Sequence, residues 1–284
     1  MKKIILLSAF LISQIFYAQT ETTQVVKDTT YWTKKGTIAV LGSQSSFSQW
    51  QAGGSNNLAI NGSINYDINY KKEDWVWDNK FIAMYGINKL KGEEQRKTDD
   101  RLEINSILGK KAKGEWYYSA FTNFKTQFDT GLNPKDETER ISHFMSPAYW
   151  QTGLGMLWKK NDNLKVNIAP ATARFIFVHK HFTEFGESFG VEQGKDVRFE
   201  LGAAVNAYYK VQVMENFTIE NILNLYSNYL EHPQNVDVDY QLNAVLKVNK
   251  YISTNLTFQA LYDDNAFKGF QIRHTLGVGL NYMF

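Results

Sequence analysis

The sequence predicts an all-β chain, a closed antiparallel transmembrane β-barrel of about 12 strands, on three observations. Apolar and polar residues alternate in segment after segment, which gives each segment one apolar face. The connections between segments are by turns tight and long. Aromatic residues gather toward the ends of the apolar faces.

At the N-terminus, Lys2 and Lys3 precede the apolar run IILLSAFLI and the small residue Ala18. A basic start, a short apolar run and a small final residue predict a signal peptide over 1–18, too short to span a bilayer. Residues 19–35 read as a short polar periplasmic segment and 36–284 as one barrel domain. Loss of Lys2 and Lys3 with the leader leaves 29 basic side chains against 29 acidic ones, so nothing points to nucleic acid. With no cysteine, disulfides, thiolate metal sites and a lipid-modified cysteine are excluded. The mean hydropathy of -0.39 does not argue against a membrane barrel, whose apolar residues occupy every second position.

The strand pattern is plain in LAINGSINYDINY, where Leu58, Ile60, Ile64, Tyr66, Ile68 and Tyr70 share one face. VRFELGAAVNAYYKVQV and VDVDYQLNAVLKV repeat it. Strands are expected near 37–44, 57–70, 75–89, 100–112, 115–128, 149–160, 163–178, 196–212, 216–230, 235–248, 251–262 and 269–284. Most suit the ~9 to 11 residues that a tilted strand needs to cross a membrane. Around Pro170 the alternation changes parity, and continuing it would put Arg174 in lipid at ~2 to 4 kcal/mol. A bulge at Pro170 would turn Arg174 inward.

Tight turns at KKED, Lys113-Gly114, KKNDN, MEN and NK fall on one side, the expected periplasmic side. SSFSQWQAGGSN, KGEEQRKTD, TGLNPKDETERISHFMSP and HKHFTEFGESFGVEQGK form the long external loops. This topology sorts the outward aromatics into two girdles, with Trp75, Trp77, Trp116, Tyr118, Tyr282 and Phe284 at the periplasmic end. Tyr85, Trp150, Phe199, Tyr229, Tyr240 and Phe270 lie at the other.

Tyr282 and Phe284, ending a strand of alternating apolar residues, resemble the terminal signal by which outer-membrane barrels are recognised for insertion. That resemblance implies outer-membrane lipids and the barrel-assembly machinery as partners. SFSQWQAGG at 46–54, followed by NLAINGSINYDINY, is similar to the start of a Bacteroidetes-type outer-membrane β-barrel family catalogued as a domain of unknown function. The likeness is expected to cover most of the mature chain, and it implies no known activity. Within the motif, Gly53 and Gly54 suit positive-φ turns and Trp50 suits a loop anchor.

Phosphate loops, HExxH and G-x-S-x-G are absent, and no cofactor, metal or catalytic residue is expected. His179, His181, Glu184 and Glu187 offer a weak ligand pattern on a loop. His274 faces lipid, where a membrane-embedded hydrolase would need a nucleophile in reach; the outward hydroxyls Ser106, Thr122, Ser227 and Thr254 are not next to it in sequence. The lumen carries more information. Arg101, Glu103, Lys125, Asp129, Arg174, Arg198, Glu200, Asp237, Asp239 and Arg273 are expected inside the external half, with Glu220 nearer mid-depth. Opposite charges in that list can pair, and twelve strands allow a narrow or self-blocked pore. The expected function is a passive channel or transporter for an unknown small solute in the bacterial outer membrane; the alternatives are a lipid hydrolase and a structural or adhesive barrel with binding loops.

Overall fold

The computed structural model describes residues 31–46, 56–133, 136–265 and 267–284. The expected signal peptide and the loop residues Trp50, Gly53 and Gly54 lie outside them. Twelve strands close into an antiparallel barrel. They are β1 (Trp32–Ser45), β2 (Asn57–Lys72), β3 (Trp75–Leu90), β4 (Gln95–Lys113), β5 (Trp116–Thr126), β8 (Ala148–Asn161), β9 (Leu164–Phe177), β10 (Val197–Met214), β11 (Phe217–Asn228), β12 (Asp237–Lys247), β13 (Ile252–Asp263) and β14 (Phe267–Met283). The remaining two, β6 (Gly131–Asn133) and β7 (Asp136–Ser142), make a separate hairpin in the loop after β5, and one helical turn, α1 (Lys180–Thr183), lies in the loop after β9.

All twelve barrel strands stand where alternation places them, and the differences lie at their ends. β1 begins at Trp32, before the expected start of the barrel, because the Trp32 ring packs on Tyr70 and Trp77 and carries the ladder through the polar WTKK stretch. β4 begins at Gln95 and pairs with β3 from there, so most of KGEEQRKTD is strand and only 91–94 turn. Tight connections recur at one end, where Lys72 pairs with Trp75 and Lys113 with Trp116. Gly114 sits there at φ +59, a left-handed conformation that glycine adopts without strain.

Between β8 and β9 the register skips from Leu154↔Ala171 to Met156↔Ile168, and between β9 and β10 from Gly202↔Thr172 to Ala204↔Ala169. The extra residues are those around Pro170, where the parity of the sequence changes. Beyond this bulge Arg174 points inward and is 5% exposed.

Ring closure rests on β1 and β14, paired from Thr37↔Met283 to Gly42↔Val278. Gly36 and Phe284 extend the seam by exchanging backbone hydrogen bonds of 2.8 and 3.0 Å. The Phe284 ring covers Gly36 so closely that a Cβ there would stand 2.2 Å from Cζ. Tyr66, the β2 partner of Gly36, and Tyr282 flank the ring at 5.7 and 5.9 Å between centroids. An aromatic ring laid over a glycine of the next strand fills the space a side chain would take and adds apolar contact across the seam.

The outer wall is apolar and exposed, from Ile38 and Val40 on β1 to Leu276, Val278 and Leu280 on β14. A continuous surface of this kind implies an apolar surrounding. Aromatic residues bound it at both ends, Trp75, Trp77, Trp116 and Tyr118 at the tight turns and Tyr85, Trp150, Phe199 and Tyr229 at the long loops. Outward polar residues are tied to this aromatic belt: Trp77 Nε1 donates to Ser106 Oγ at 2.8 Å, Trp150 Nε1 to Thr122 Oγ1 at 2.9 Å, and the Tyr240 hydroxyl to Asn221 Oδ1 at 2.8 Å.

Candidate functional site: a lumen crossed by ion pairs

Inward side chains meet across the barrel at two levels. In the order β1-β14-β13-β12-β11-β10-β9-β8-β5-β4-β3-β2, strands β3 and β11 lie half a circuit apart, as do β4 and β12. Lys80 on β3 reaches Glu220 on β11 at 3.3 Å and Asp67 on β2 at 3.4 Å. Glu220 also accepts from the Tyr208 hydroxyl at 2.7 Å and from Asn243 at 3.2 Å. A circular barrel of twelve strands would measure ~24 Å across, more than one lysine and one glutamate can bridge end to end. The section is therefore an oval, narrowed between β3–β4 and β11–β12.

The second crossing lies toward the long loops. Arg101 on β4 donates to Gln241 on β12 at 2.7 Å and pairs with Glu103. Lys125 on β5 holds Asp239 on β12 at 2.9 Å, and Gln259 donates to the same carboxylate at 2.6 Å. Arg273 on β14 closes the ring by donating to Asp99 on β4 at 2.6 Å and to Gln259 at 2.8 Å. Beside it, buried Glu200 accepts from Arg174 at 2.6 Å and from Arg198 at 2.7 Å. Arg174 continues to Asp237 at 2.6 Å, and its guanidinium lies 4.1 Å from the Tyr226 ring centre. Desolvated charges this close require partners, and most of these have two.

Apolar side chains fill part of the space between. Phe121, Ala169, Ala204 and Tyr226, from four strands, form a buried cluster with Ile107. Phe121 lies against Gly153, where a Cβ would come within 2.8 Å of its ring. Two cavities share no lining residue: one of about 190 Å³ at the tight-turn side, bordered by Lys35, Asp78, Lys80 and Tyr208, and one of about 500 Å³ at the long-loop side, bordered by Arg101, Lys125, Gln127 and Arg273.

Arg101, Glu103, Lys125, Arg174, Arg198, Glu200, Glu220, Asp237, Asp239 and Arg273 all stand in the lumen in this network. Asp129 does not. β5 ends at Thr126, the Phe128 and Asp129 N–H groups donate to Asp100, and Asp129 lies outside over Tyr85. There the Tyr85 hydroxyl, at 2.8 Å, and the Thr130 N–H hold its carboxyl below the usual carboxylate range.

Two inward charges of β3 are not in the expected set: Lys80 of the crossing, and Asp78, held by Lys159 at 2.8 Å and Lys165 at 2.9 Å. The alternation of WVWDNKF places both inward, since Trp75 and Trp77 are outward.

His179 and His181 do not gather ligands with Glu184 and Glu187. His179 Nδ1 accepts from the His181 N–H, and its ring lies 5.5 Å from that of His143. Among the described residues the one group of three acidic or imidazole ligands is Asp237, Asp263 and Asp264. Its carboxylates already accept from Arg174, the Asn265 N–H and Asn235. His274 on β14 pairs with Phe258 on β13. Ser106 and Thr122 are bonded within the aromatic belt, Ser227 donates to the Pro233 carbonyl, and Thr254 stands four residues along β13 from Phe258, ~13 Å at strand rise.

Residues 43–132 match the family described as "Protein of unknown function (DUF3078)". The match takes in SFSQWQAGG and β2–β5, less of the chain than the motif implied. No curated protein matches the chain. Similar solved structures include the translocator domain of the autotransporter NalP from Neisseria meningitidis, at 9% identity and a TM-score of 0.36, covering 100% of this chain and 96% of that one. An outer-membrane channel from Pseudomonas putida F1 matches at 9% identity and a TM-score of 0.40, covering 93% and 99%. The NanC porin matches at 10% identity and 0.36, covering 87% and 98%. These likenesses concern the barrel fold alone.

Proposed function

We propose that this protein is an outer-membrane channel for a small polar solute, held closed at rest by two crossings of charged side chains, the Lys80–Glu220 ion pair and the Arg101–Gln241 hydrogen bond. The observation that carries the reading is the pair of separate cavities, one at each end, each bordered by charged side chains of a crossing, Lys80 of Lys80–Glu220 in one and Arg101 of Arg101–Gln241 in the other. A barrel whose role was structural would gain as much from an apolar filling, since buried ion pairs are often no better for stability than apolar side chains of similar volume. Side-chain bars made of charges can be exchanged for water or solute without unfolding the wall. The apolar outer face and its girdles support residence among outer-membrane lipids, delivered by the barrel-assembly machinery. The likeness of SFSQWQAGG and the following strand supports a Bacteroidetes-type origin. Planar-bilayer recording on the purified barrel tests the reading: cutting either crossing should raise conductance, and silence in every variant would refute it.

A further inference from the structure

We infer that the cavity at the tight-turn end is a binding site for one neutral, hydroxyl-rich ring of monosaccharide size; this deepens the channel reading and takes its biological sense from it. Of the eight asparagines that border the cavity, five, Asn105, Asn123, Asn167, Asn206 and Asn224, come one each from five strands and are joined to one another by amide hydrogen bonds. Four of their amide bonds run between one another or to a serine: Asn123 to Asn105 at 2.6 Å, Ser119 to Asn167 at 2.6 Å, Asn167 to Asn206 at 3.4 Å and Asn206 to Asn224 at 3.0 Å. The chain of amides leaves an acceptor and a donor over. Asn123 Oδ1 and Asn224 Nδ2 have no protein partner among the described residues, and they stand on β5 and β11, on different sides of the cavity.

The charges at the same depth are matched. Asp78 is held by Lys159 and Lys165, and Lys80 lies between Asp67 and Glu220. Lys35 and Lys210 are exposed at the rim, where water screens them. A small anion would have no use for the Asn123 acceptor and would meet the carboxylates of Asp67 and Asp78; a cation would meet the lysines. A hydroxyl donates and accepts at once, so a polyol satisfies both vacant amide positions. The volume sets the size, because about 190 Å³ exceeds the ~150 Å³ that accommodates benzene and leaves space for a few ring substituents.

The experiment is equilibrium binding to the full chain, purified in a non-glycosidic detergent, by calorimetry or saturation-transfer NMR with glucose, myo-inositol, maltose and inorganic phosphate as probes. The expected result is saturable binding of glucose or myo-inositol, maltose at least tenfold weaker, and no phosphate binding. Asn224→Asp, which keeps the size and removes the donor, and Asn123→Leu should each weaken sugar binding at least tenfold, with heat-modifiable gel migration showing that the barrel is intact. Phosphate binding in place of sugar, no saturation with either sugar, or two folded variants that bind like the wild type would each overturn the inference. Binding without current would leave the site and remove the channel; current without sugar binding would leave the channel and remove the site.

Discussion

Replacing Glu200 by glutamine removes one charge from a position with no exposure at all. Two guanidiniums then face a single amide oxygen where each had a carboxylate oxygen at 2.6 or 2.7 Å. Arg174 retains Asp237 at 2.6 Å, and Arg198 retains Glu231 at 2.7 Å near the surface. Breaking a buried pair costs ~3 to 5 kcal/mol, and the retained partners place this case at the low end, about 3 kcal/mol. At ~2 to 4 °C per kcal/mol for a chain of this size, the melting midpoint should fall by about 6 to 12 °C. Gel mobility against temperature reads that midpoint for a barrel. Glu231→Gln is the control, because its carboxylate is half exposed and such pairs contribute ~0 to 1 kcal/mol. A fall for Glu200→Gln no larger than for Glu231→Gln would refute the view that this network holds the outer half together.

Gly36→Leu should displace the Phe284 ring from the seam and lower the same midpoint by several degrees, without changing Phe284 itself; an unchanged midpoint would mean that the ring is not a seam contact. Phe284→Asp adds an interfacial charge that intrinsically costs only ~0 to 1 kcal/mol, so loss of outer-membrane assembly in this variant, with Gly36→Leu still assembled, is the expected mark of Tyr282 and Phe284 as an insertion signal. Normal assembly of Phe284→Asp would sink that idea. His274→Ala should leave phospholipid and ester hydrolysis at the background of the wild type, and activity that disappears in the variant would make the protein an enzyme.

Much of the fold was legible because a barrel strand writes its two faces into alternate residues. β2 and β10 stand within a few residues of their expected bounds for that reason, and the parity change at Pro170 gave away the bulge that turns Arg174 inward. The hairpin β6–β7 was not legible, since GLN and DETERIS have no apolar face to alternate with. Parity also identified most of the lumen charges, though the expected set omitted Asp78 and Lys80 and included Asp129, but it could not pair them. Lys80 and Glu220 are 140 residues apart, and they meet only because ring order sets β3 opposite β11 and the section is oval. The apolar lumen cluster around Phe121 and Tyr226 was hidden in the same way, by inward aromatics among polar neighbours that read as ordinary variation. The Phe284–Gly36 contact needed closure as well, because only then does the last strand lie beside the first.

The central claim is that Lys80–Glu220 and Arg101–Gln241 close the lumen, and single-channel conductance of the wild type beside Lys80→Ala, Arg101→Ala and the double variant tests it most directly. The wild type should pass little current with brief openings, each single variant should raise the mean current at least threefold, and the double variant should exceed both. A wild type that is already fully open at the variants' conductance, or four proteins that are equally silent while still folded on gels, would contradict the account.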